Sequence, residues 1–338
     1  MTDEAPPAEA PAVTDEEAAT ELVAVGGAMV DRYYRLTNLP PPDGGSFVRE
    51  SWRSFGGSAA NVACAAAGLG RSAGQVTRLG TDQGGEGHDD ADAVAADLQA
   101  HGVDTTRVRR GEETGTYSMI LAGPDGQRMV VTGGDSVRNL RLVDGDWPYL
   151  QGADVVFTKA YAPDHVVADL VAARADGDLS ALAFDLSGPL PELADRGTRP
   201  DTIDDAVGAA DLLVAGEVAL SSYCDHHGVA ATTEAAVGLL RERGVTRAAL
   251  TRGEEGATLV HPDDTVAVDA FDVDVVDATG AGDAFAAALV DAWVLDDRPP
   301  AEAGRFAAAA AALNCTAEGA RGGLATRGEV LAFLDDRT

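Results

Sequence analysis

The stretch Val275–Val290, VVDATGAGDAFAAALV, sets Gly280, Gly282 and Asp283 directly ahead of the helix-forming run Ala284–Leu289. Such an order of residues predicts a turn of bare backbone that becomes the first turn of a helix. Glycine lets that backbone approach a ligand, and the first N–H groups of a helix have no internal partners. With the helix dipole behind them, the amides of Gly280, Ala281 and Gly282 make an anion site, and Asp283 stands on its rim. An anion hole beside a carboxylate suits phosphoryl transfer: the amides take up charge on the moving phosphate while the carboxylate receives the acceptor's proton. Taken alone, the motif reads equally well as a glycine-shaped loop whose Asp283 caps the helix, because short glycine-rich motifs recur by chance.

The elements that must position this stretch follow from the rest of the chain. Residues 1–20 are rich in Ala, Pro and Glu with almost no large apolar side chains and read as a disordered acidic tail, leaving 21–338 to fold. Leu22–Val25 followed by Gly26-Gly27 predicts a short buried strand, and Asp31 lies just beyond its C-terminal end, where open parallel sheets bind ligands. A small-residue helix over Ala59–Gly68 carries Asn61, a strand spans Ala73–Gly80, and Glu86–His101 is an amphipathic helix. Thr116–Ala122 and Gln127–Thr132, joined by Gly123-Pro124-Asp125-Gly126, give a hairpin signal. After Trp147 strands (Asp154–Thr158, Leu182–Leu186, Asp211–Ala215, Ala248–Thr251) alternate with helices (Ala162–Ala173, Thr232–Arg243), and Ala301–Thr316 and Arg327–Leu334 close the chain. Repeated βα units imply a parallel sheet with helices on its faces. A smaller β part from about 32–55 and 113–134 would form a lid over the sheet's ligand edge and exclude water from the chemistry.

Composition removes several classes of function. With 56 acidic against 25 basic residues and a net charge of −31, the chain is a poor partner for nucleic acid, whose phosphates require a basic surface. Lys159 is its one lysine. Acid-rich, lysine-poor composition fits a halophilic cytoplasm, where concentrated salt screens self-repulsion. Cys64, Cys224 and Cys315 lack CxxC spacing, so neither a disulfide framework nor a zinc site is implied, in keeping with a reducing, cytoplasmic compartment. No 18-residue apolar run predicts a membrane span, and the N-terminus lacks the basic and apolar regions of a signal peptide.

Other phosphate and metal motifs are absent. Lys159 sits between Thr158 and Ala160, so no Walker A loop exists, and no VAIK lysine does either. Gly68-Leu69-Gly70 and Gly280-Ala281-Gly282 both lack the third glycine of a dinucleotide fingerprint. The histidines, His226-His227 included, have no HExxH spacing and read as surface residues.

What the chain does resemble, over most of Glu21–Leu334, is the ribokinase-like (PfkB) family of small-molecule kinases. Phe55-Gly56-Gly57-Ser58-Ala59-Ala60-Asn61-Val62-Ala63 is similar to that family's N-terminal signature, and Asp277-Ala278-Thr279-Gly280-Ala281-Gly282-Asp283 to its C-terminal one. The hairpin around Pro124-Asp125-Gly126 and the loop Thr251–Gly256 lie between them in the family's order. The resemblance implies a three-layer α/β/α fold with a mostly parallel central sheet and a small β-sheet lid. It implies an ATP-dependent kinase in which Asp283 is the base and the amides of Gly280, Ala281 and Gly282 hold the transferring phosphoryl group. Thr251, Gly253 and Gly256 would line the nucleotide phosphates and Asn314 the adenine end. Asp31, Gly56, Gly57 and Asn61 would hold the acceptor's hydroxyls. Asp277 and the loop Ala317–Gly323 correspond to a region where some relatives bind a monovalent cation, so K⁺ belongs with Mg²⁺ and ATP among the expected cofactors. The sequence leaves the oligomeric state open; relatives often pair through their lids, and the β flap here could form a homodimer in the same way.

The chain departs from that pattern where relatives carry Asn-x-x-Glu to order the waters of Mg²⁺: Ala215-Gly216-Glu217-Val218 offers only Glu217. Lys159, at the end of a strand facing the acceptor, reads either as a contact for an anionic acceptor or as half of an internal ion pair. The expected activity is therefore transfer of a γ-phosphate to a hydroxyl of a sugar or sugar acid. A nucleoside kinase of the same fold, with Tyr33 or Phe47 beside a base, and a catalytically weak sugar sensor are the alternatives.

Overall fold

The computed structural model describes residues 20–81, 90–125 and 127–337. The expected tail, apart from Thr20, and the first part of the helix expected from Glu86 lie outside the described residues.

Among the described residues, thirteen strands form two sheets. In chain order they are β1 (Leu22–Val25), β2 (Met29–Leu36), β3 (Val48–Gly56), β4 (Ala73–Thr81), β5 (Val108–Thr114), β6 (Tyr117–Ala122) and β7 (Arg128–Gly133), then β8 (Val155–Lys159), β9 (Leu182–Asp185), β10 (Leu212–Gly216), β11 (Ala248–Thr251), β12 (Ala257–Val260) and β13 (Thr265–Val268). The helices are α1 (Ser58–Gly68), α2 (Asp90–Ala100), α3 (Trp147–Gln151), α4 (Asp164–Ala175), α5 (Leu190–Arg196) and α6 (Pro200–Ala209), then α7 (Glu217–His226), α8 (Thr233–Glu242), α9 (Ala281–Leu289), α10 (Pro300–Asn314) and α11 (Arg327–Asp335).

The large sheet runs β13-β12-β11-β10-β9-β8-β1-β4-β5 and is parallel from β11 to β5, with the β12–β13 hairpin antiparallel at one edge. Its central strands β1, β8 and β9 are short, fully buried and apolar except at the C-terminal ends that carry Thr158, Lys159 and Asp185, because both faces are covered. In β1, Leu22 and Ala24 pack with α1, α9, α10 and α11 on one face. Val23 and Val25 pack with α3 and α4 on the other, where α5–α8 continue the layer. This is the expected three-layer arrangement. Among the described residues no helix is long and apolar enough to cross a membrane.

The second sheet, ordered β3-β2-β6-β7, is the lid. β2 begins at Met29, so Asp31 lies inside a lid strand, paired with Ser54 of β3 and Ser118 of β6, where the sequence reading had it simply past the end of β1. The sequence reading assigned no element to β5, β12, β13, α3, α5, α6 or α7, the last because EVALSSYCDH lacks a clear apolar stripe. Helix α9 passes into a π-helical turn over Val290–Leu295.

Candidate active site

Parallel strands all end on the same edge of the sheet, and the loops there carry nearly every residue singled out above. Between that edge and the lid lies a cavity of about 570 Å³, lined among others by Asp31, Gly57, Asn61, Lys159, Thr279, Gly280 and Asp283.

Its floor is the start of α9. Gly280 takes the N-cap position in the left-handed region, φ 79°, and a Cβ there would stand 2.3 Å from the carbonyl oxygen of Ala320. Only glycine fits both constraints. The loop is clipped from two sides. Both Asp277 oxygens accept hydrogen bonds, Oδ1 from the Thr279 amide and hydroxyl (2.9 and 2.7 Å) and Oδ2 from the Gly319 amide (3.0 Å). Burial raises the Asp277 carboxyl, but these donors outweigh it and hold the group below the usual aspartate range. Asn314, fully buried at the end of α10, donates its amide to the carbonyls of Thr279 and Ala320 at 3.1 and 3.3 Å. That differs from the adenine contact expected of Asn314: the side chain is wholly buried and its amide holds the carbonyls of the glycine loop.

Asp283, in the first turn of α9, is 7 % exposed and faces the cavity. Asn61 reaches it from α1, Nδ2 donating to Oδ2 at 2.8 Å. The oxygen of that Asn61 amide, Oδ1, accepts from Arg321 Nε at 2.9 Å, and Arg321 also binds the Gly56 carbonyl at 2.9 Å and the Asp97 carboxylate. Gly57 caps α1 at φ 94° with its would-be Cβ 2.4 Å from the Gly27 carbonyl, which is how α1 comes so close to the β1 edge. On the opposite side Lys159 Nζ donates to Asp283 Oδ1 at 2.8 Å and to Asp185 Oδ2 at 2.9 Å. Sheet register explains that contact: Lys159 and Asp185 are paired neighbours at the ends of β8 and β9. Burial pulls the Lys159 ammonium down, but the two carboxylates more than compensate and keep it above the usual lysine range. The lysine is thus an internal ion pair, and its charge is already matched by protein; it is not an unclaimed cation awaiting an acceptor.

Asp31 lines the same cavity, and its carboxyl is pushed up to about 6, chiefly by burial, with the neighbouring Asp283 charge adding to the rise and Ser118 and Arg321 opposing it. From the lid, Arg128 donates to the Thr279 hydroxyl at 2.8 Å and so ties the flap to the glycine loop. Each Asp283 oxygen accepts one side-chain bond, from Asn61 or Lys159, and retains a lone pair, so a hydroxyl in the cavity can donate to the same carboxylate.

The residues expected around a nucleotide lie further along the edge. Gly216 and Thr251 are paired at the ends of β10 and β11, Gly253–Glu255 form a single 3₁₀ turn closed by Gly256, and Glu217 opens α7 with an exposed carboxylate. Three strand spacings separate β11 from β8, roughly 14 Å, a span a triphosphate can bridge. None of Glu217, Thr251, Gly253 and Gly256 lines the cavity itself. Of the described His, Cys, Asp and Glu side chains, only Cys64/Asp97/His101 and Asp204/His226/His227 cluster closely enough to suggest a metal, and both groups lie elsewhere. His227 is half-buried and bonded to Asp204 and Arg243, and His101 and His165 are half-buried too, so among the described histidines His226 and His261 are the surface residues expected.

Sequence reasoning missed Asp185, Arg321, Arg128 and Arg138, all of which bond to or line this site. Asp185 was accessible in principle, since it ends a parallel strand on the ligand edge. The arginines had no local signal.

Comparison with known proteins agrees with the geometry. The profile of the pfkB family carbohydrate kinases matches residues 19–327. The chain is 32% identical over 317 residues to the ATP-dependent ribose-1-phosphate kinase of Halopiger xanaduensis, covering 94% of this chain and 98% of that one. It is 25% identical over 317 residues to a nucleoside kinase of Methanothermobacter thermautotrophicus, covering 92% and 94%. The solved structure of Arabidopsis thaliana ribokinase complexed with ribose and ATP superimposes with a TM-score of 0.78 at 27% identity, covering 94% and 99%.

Proposed function

Because the chain belongs to the pfkB family of carbohydrate kinases, phosphotransferases with a hydroxyl acceptor, we propose that it uses ATP to phosphorylate a hydroxyl of a sugar or sugar acid held between Asp31 and Asn61. The observation that carries the reading is Asp283: a carboxylate at a helix N-terminus, buried, bonded by Asn61 and Lys159, and facing the cavity. In the reaction the acceptor oxygen bonds to the γ-phosphorus as the bond from that phosphorus to the β,γ-bridging oxygen breaks. ADP leaves with the electron pair, and the hydroxyl proton passes to Asp283. The amides of Gly280, Ala281 and Gly282 take up charge on the phosphoryl oxygens. Asn61 and Lys159 hold the carboxylate in place. Arg128, bonded to Thr279, keeps the lid over the reacting atoms and water out.

Thr251, Gly253 and Gly256 are assigned to the nucleotide phosphates. The exposed Glu217 at their side fits a water-mediated contact to Mg²⁺, which would neutralise those phosphates. Asp277 Oδ1 already accepts two bonds from Thr279, while Oδ2 accepts only that of the Gly319 amide and keeps one lone pair with which the side chain would meet a K⁺ ion. No step is derived through that ion.

The cavity's wall of Met29, Ile120, Val130 and Val137 keeps a nucleoside acceptor in contention, although Tyr33 and Phe47 do not line it. The relative named for ribose 1-phosphate adds phosphorylated pentoses to the acceptors worth trying. ADP release against sugars, sugar acids, sugar phosphates and nucleosides in molar KCl tests the reading. Asp283→Asn is expected to lower kcat by about 10³-fold with little change in KM for ATP. Near-normal turnover would remove the base assignment, and sugar binding without ADP from any acceptor would favour a sensor.

Pairing through the lid belongs to the same reading. Val130 lines the cavity, so Met129 and Val131 on either side of it point outward, 49% and 45% exposed. Sedimentation over a range of concentrations should show a dimer; a monomer throughout would remove it.

A further inference from the structure

Cys64 stands about one helical turn after Asn61 on α1. The fold brings its sulfur, a carboxylate oxygen of Asp97 and a ring nitrogen of His101 to within 4.8 Å of one another. Asp97 lies near the end of α2 and His101 just past it, four positions on, so the two share a face. No local spacing announces this triad, because the thiol comes from one helix and the other two groups from the next. Ligands about 2.0–2.3 Å from one tetrahedral ion stand roughly 3.3–3.8 Å apart, so closing the triad around a cation takes side-chain movements of about an ångström.

Each of the three keeps a ligand atom that is not engaged among the described residues. The Cys64 thiol is 1% exposed and makes no hydrogen bond. Burial pushes it up to about 11, so it is no nucleophile by itself. Asp97 gives Oδ2 to Arg321, while Oδ1 accepts no hydrogen bond and stands 3.5 Å from His101 Nδ1. His101 Nδ1 is bonded to the Asp97 backbone carbonyl at 2.8 Å, the kind of contact that orients a metal-bound imidazole, and Nε2 makes no bond. The Asp97 and His101 side chains are 15% and 30% exposed, which gives an ion an entry path and a water a place as fourth ligand. The other cluster of possible ligands is spent. Asp204 Oδ1 already serves Tyr223, His227 and Arg243, so a cation there would have to displace a guanidinium.

We propose that Cys64, Asp97 and His101 bind a thiophilic divalent cation of the Zn²⁺ class, with water as the fourth ligand, and that the ion clamps α1 to the end of α2. A thiolate and a carboxylate neutralise its two charges, and sulfur with imidazole selects Zn²⁺ over the hard Mg²⁺ that accompanies a nucleotide. On binding, a sulfur–metal bond replaces the S–H bond and the proton goes to solvent. Arg321 keeps its own oxygen of Asp97, so the ion holds the outer end of the chain Asp97–Arg321–Asn61–Asp283. None of the three ligands lines the acceptor cavity, and the site is independent of what the cavity binds.

The test is a Co²⁺ titration of the full chain in KCl with excess Mg²⁺, followed by absorption. A thiolate-to-cobalt charge-transfer band and the visible bands of tetrahedral Co²⁺ are expected, saturating at a single ion, reversed by Zn²⁺ and untouched by Mg²⁺. Cys64→Ser should abolish the charge-transfer band, while Cys224→Ser and Cys315→Ser leave it in place. His101→Gln, at the half-exposed end of the site, should weaken the apparent affinity by about 10-fold or more, and it carries the test should the buried Cys64→Ser fail to fold. Zn²⁺ in slight excess should raise Tm of the wild type by about 2–5 °C and leave that of His101→Gln unmoved. Cobalt bound with no thiolate band, as carboxylates of an acidic surface would bind it, overturns the proposal. So does a band that survives Cys64→Ser, or an affinity unchanged in His101→Gln.

Discussion

At the β1–β8–β9 end of the sheet edge Asp283, Asn61, Lys159, Asp185 and Arg321 are each less than a tenth exposed and bonded to one another in a chain. At the β10–β11 end the groups facing the cleft are backbone and solvent: Gly253, Glu254, Glu255 and Glu217 are all exposed, and Val218 is 68% exposed. The difference follows from what each end has to do. A proton acceptor must be fixed to within hydrogen-bond reach of one oxygen, and fixing it with ionic groups out of water is stable only if every charge is matched. A nucleotide brings its own charge and its own metal, so a loop of amides that can admit and release it suffices. One end is therefore preorganised by buried side chains, the other by backbone conformation.

Breaking the buried end should have the larger consequence. Lys159→Met leaves Asp185 and Asp283 without their shared cation, and is expected to cost about 3 kcal/mol or more of stability in denaturant unfolding along with most activity. Glu217→Gln at the open end should change stability by less than about 0.5 kcal/mol while raising KM for Mg-ATP. Similar stability losses in the two variants would erase the contrast.

A smaller effect sharpens it. Because the Asp31 carboxyl is raised to about 6, the folded protein binds its proton more tightly than the unfolded chain does. Stability from this group is therefore present at low pH and is lost as pH rises through about 6. If the ionised carboxylate receives the acceptor's hydroxyls, KM for the acceptor should climb several-fold as pH falls from 7 to 5, with KM for ATP flat. Asp31→Asn should abolish that inflection. An equal pH effect on both substrates would place the titrating group elsewhere.

The parts of this site that could be read in the sequence are those encoded by neighbours along the chain. The turn Thr279–Asp283 needs glycine at 280 for a left-handed N-cap, and the residues of α9 follow directly, so helix, loop and acid announce themselves together. The strands β1 and β8 to β11 are nearly as local, being short runs led by apolar residues, whereas β5, β12 and β13 had no such signal. Lys159 was noticed as the one lysine, but its partner Asp185 emerges only when β8 and β9 lie in register. Asn314 looked like a nucleotide contact from its place on a late helix, and the packing of α10 against the glycine loop gave its amide to two carbonyls instead.

From the order of its residues alone the chain declared its family, its alternating architecture and the acid at the mouth of α9, because each of these depends on side chains a few positions apart. Folding decided which charges were spent. Arg321 supports Asn61 across 260 residues, and Lys159 is consumed by two acids. Whether an ionic group meets its counter-charge depends on distances that only the packed sheet and lid establish, and those distances fix what the pocket can bind.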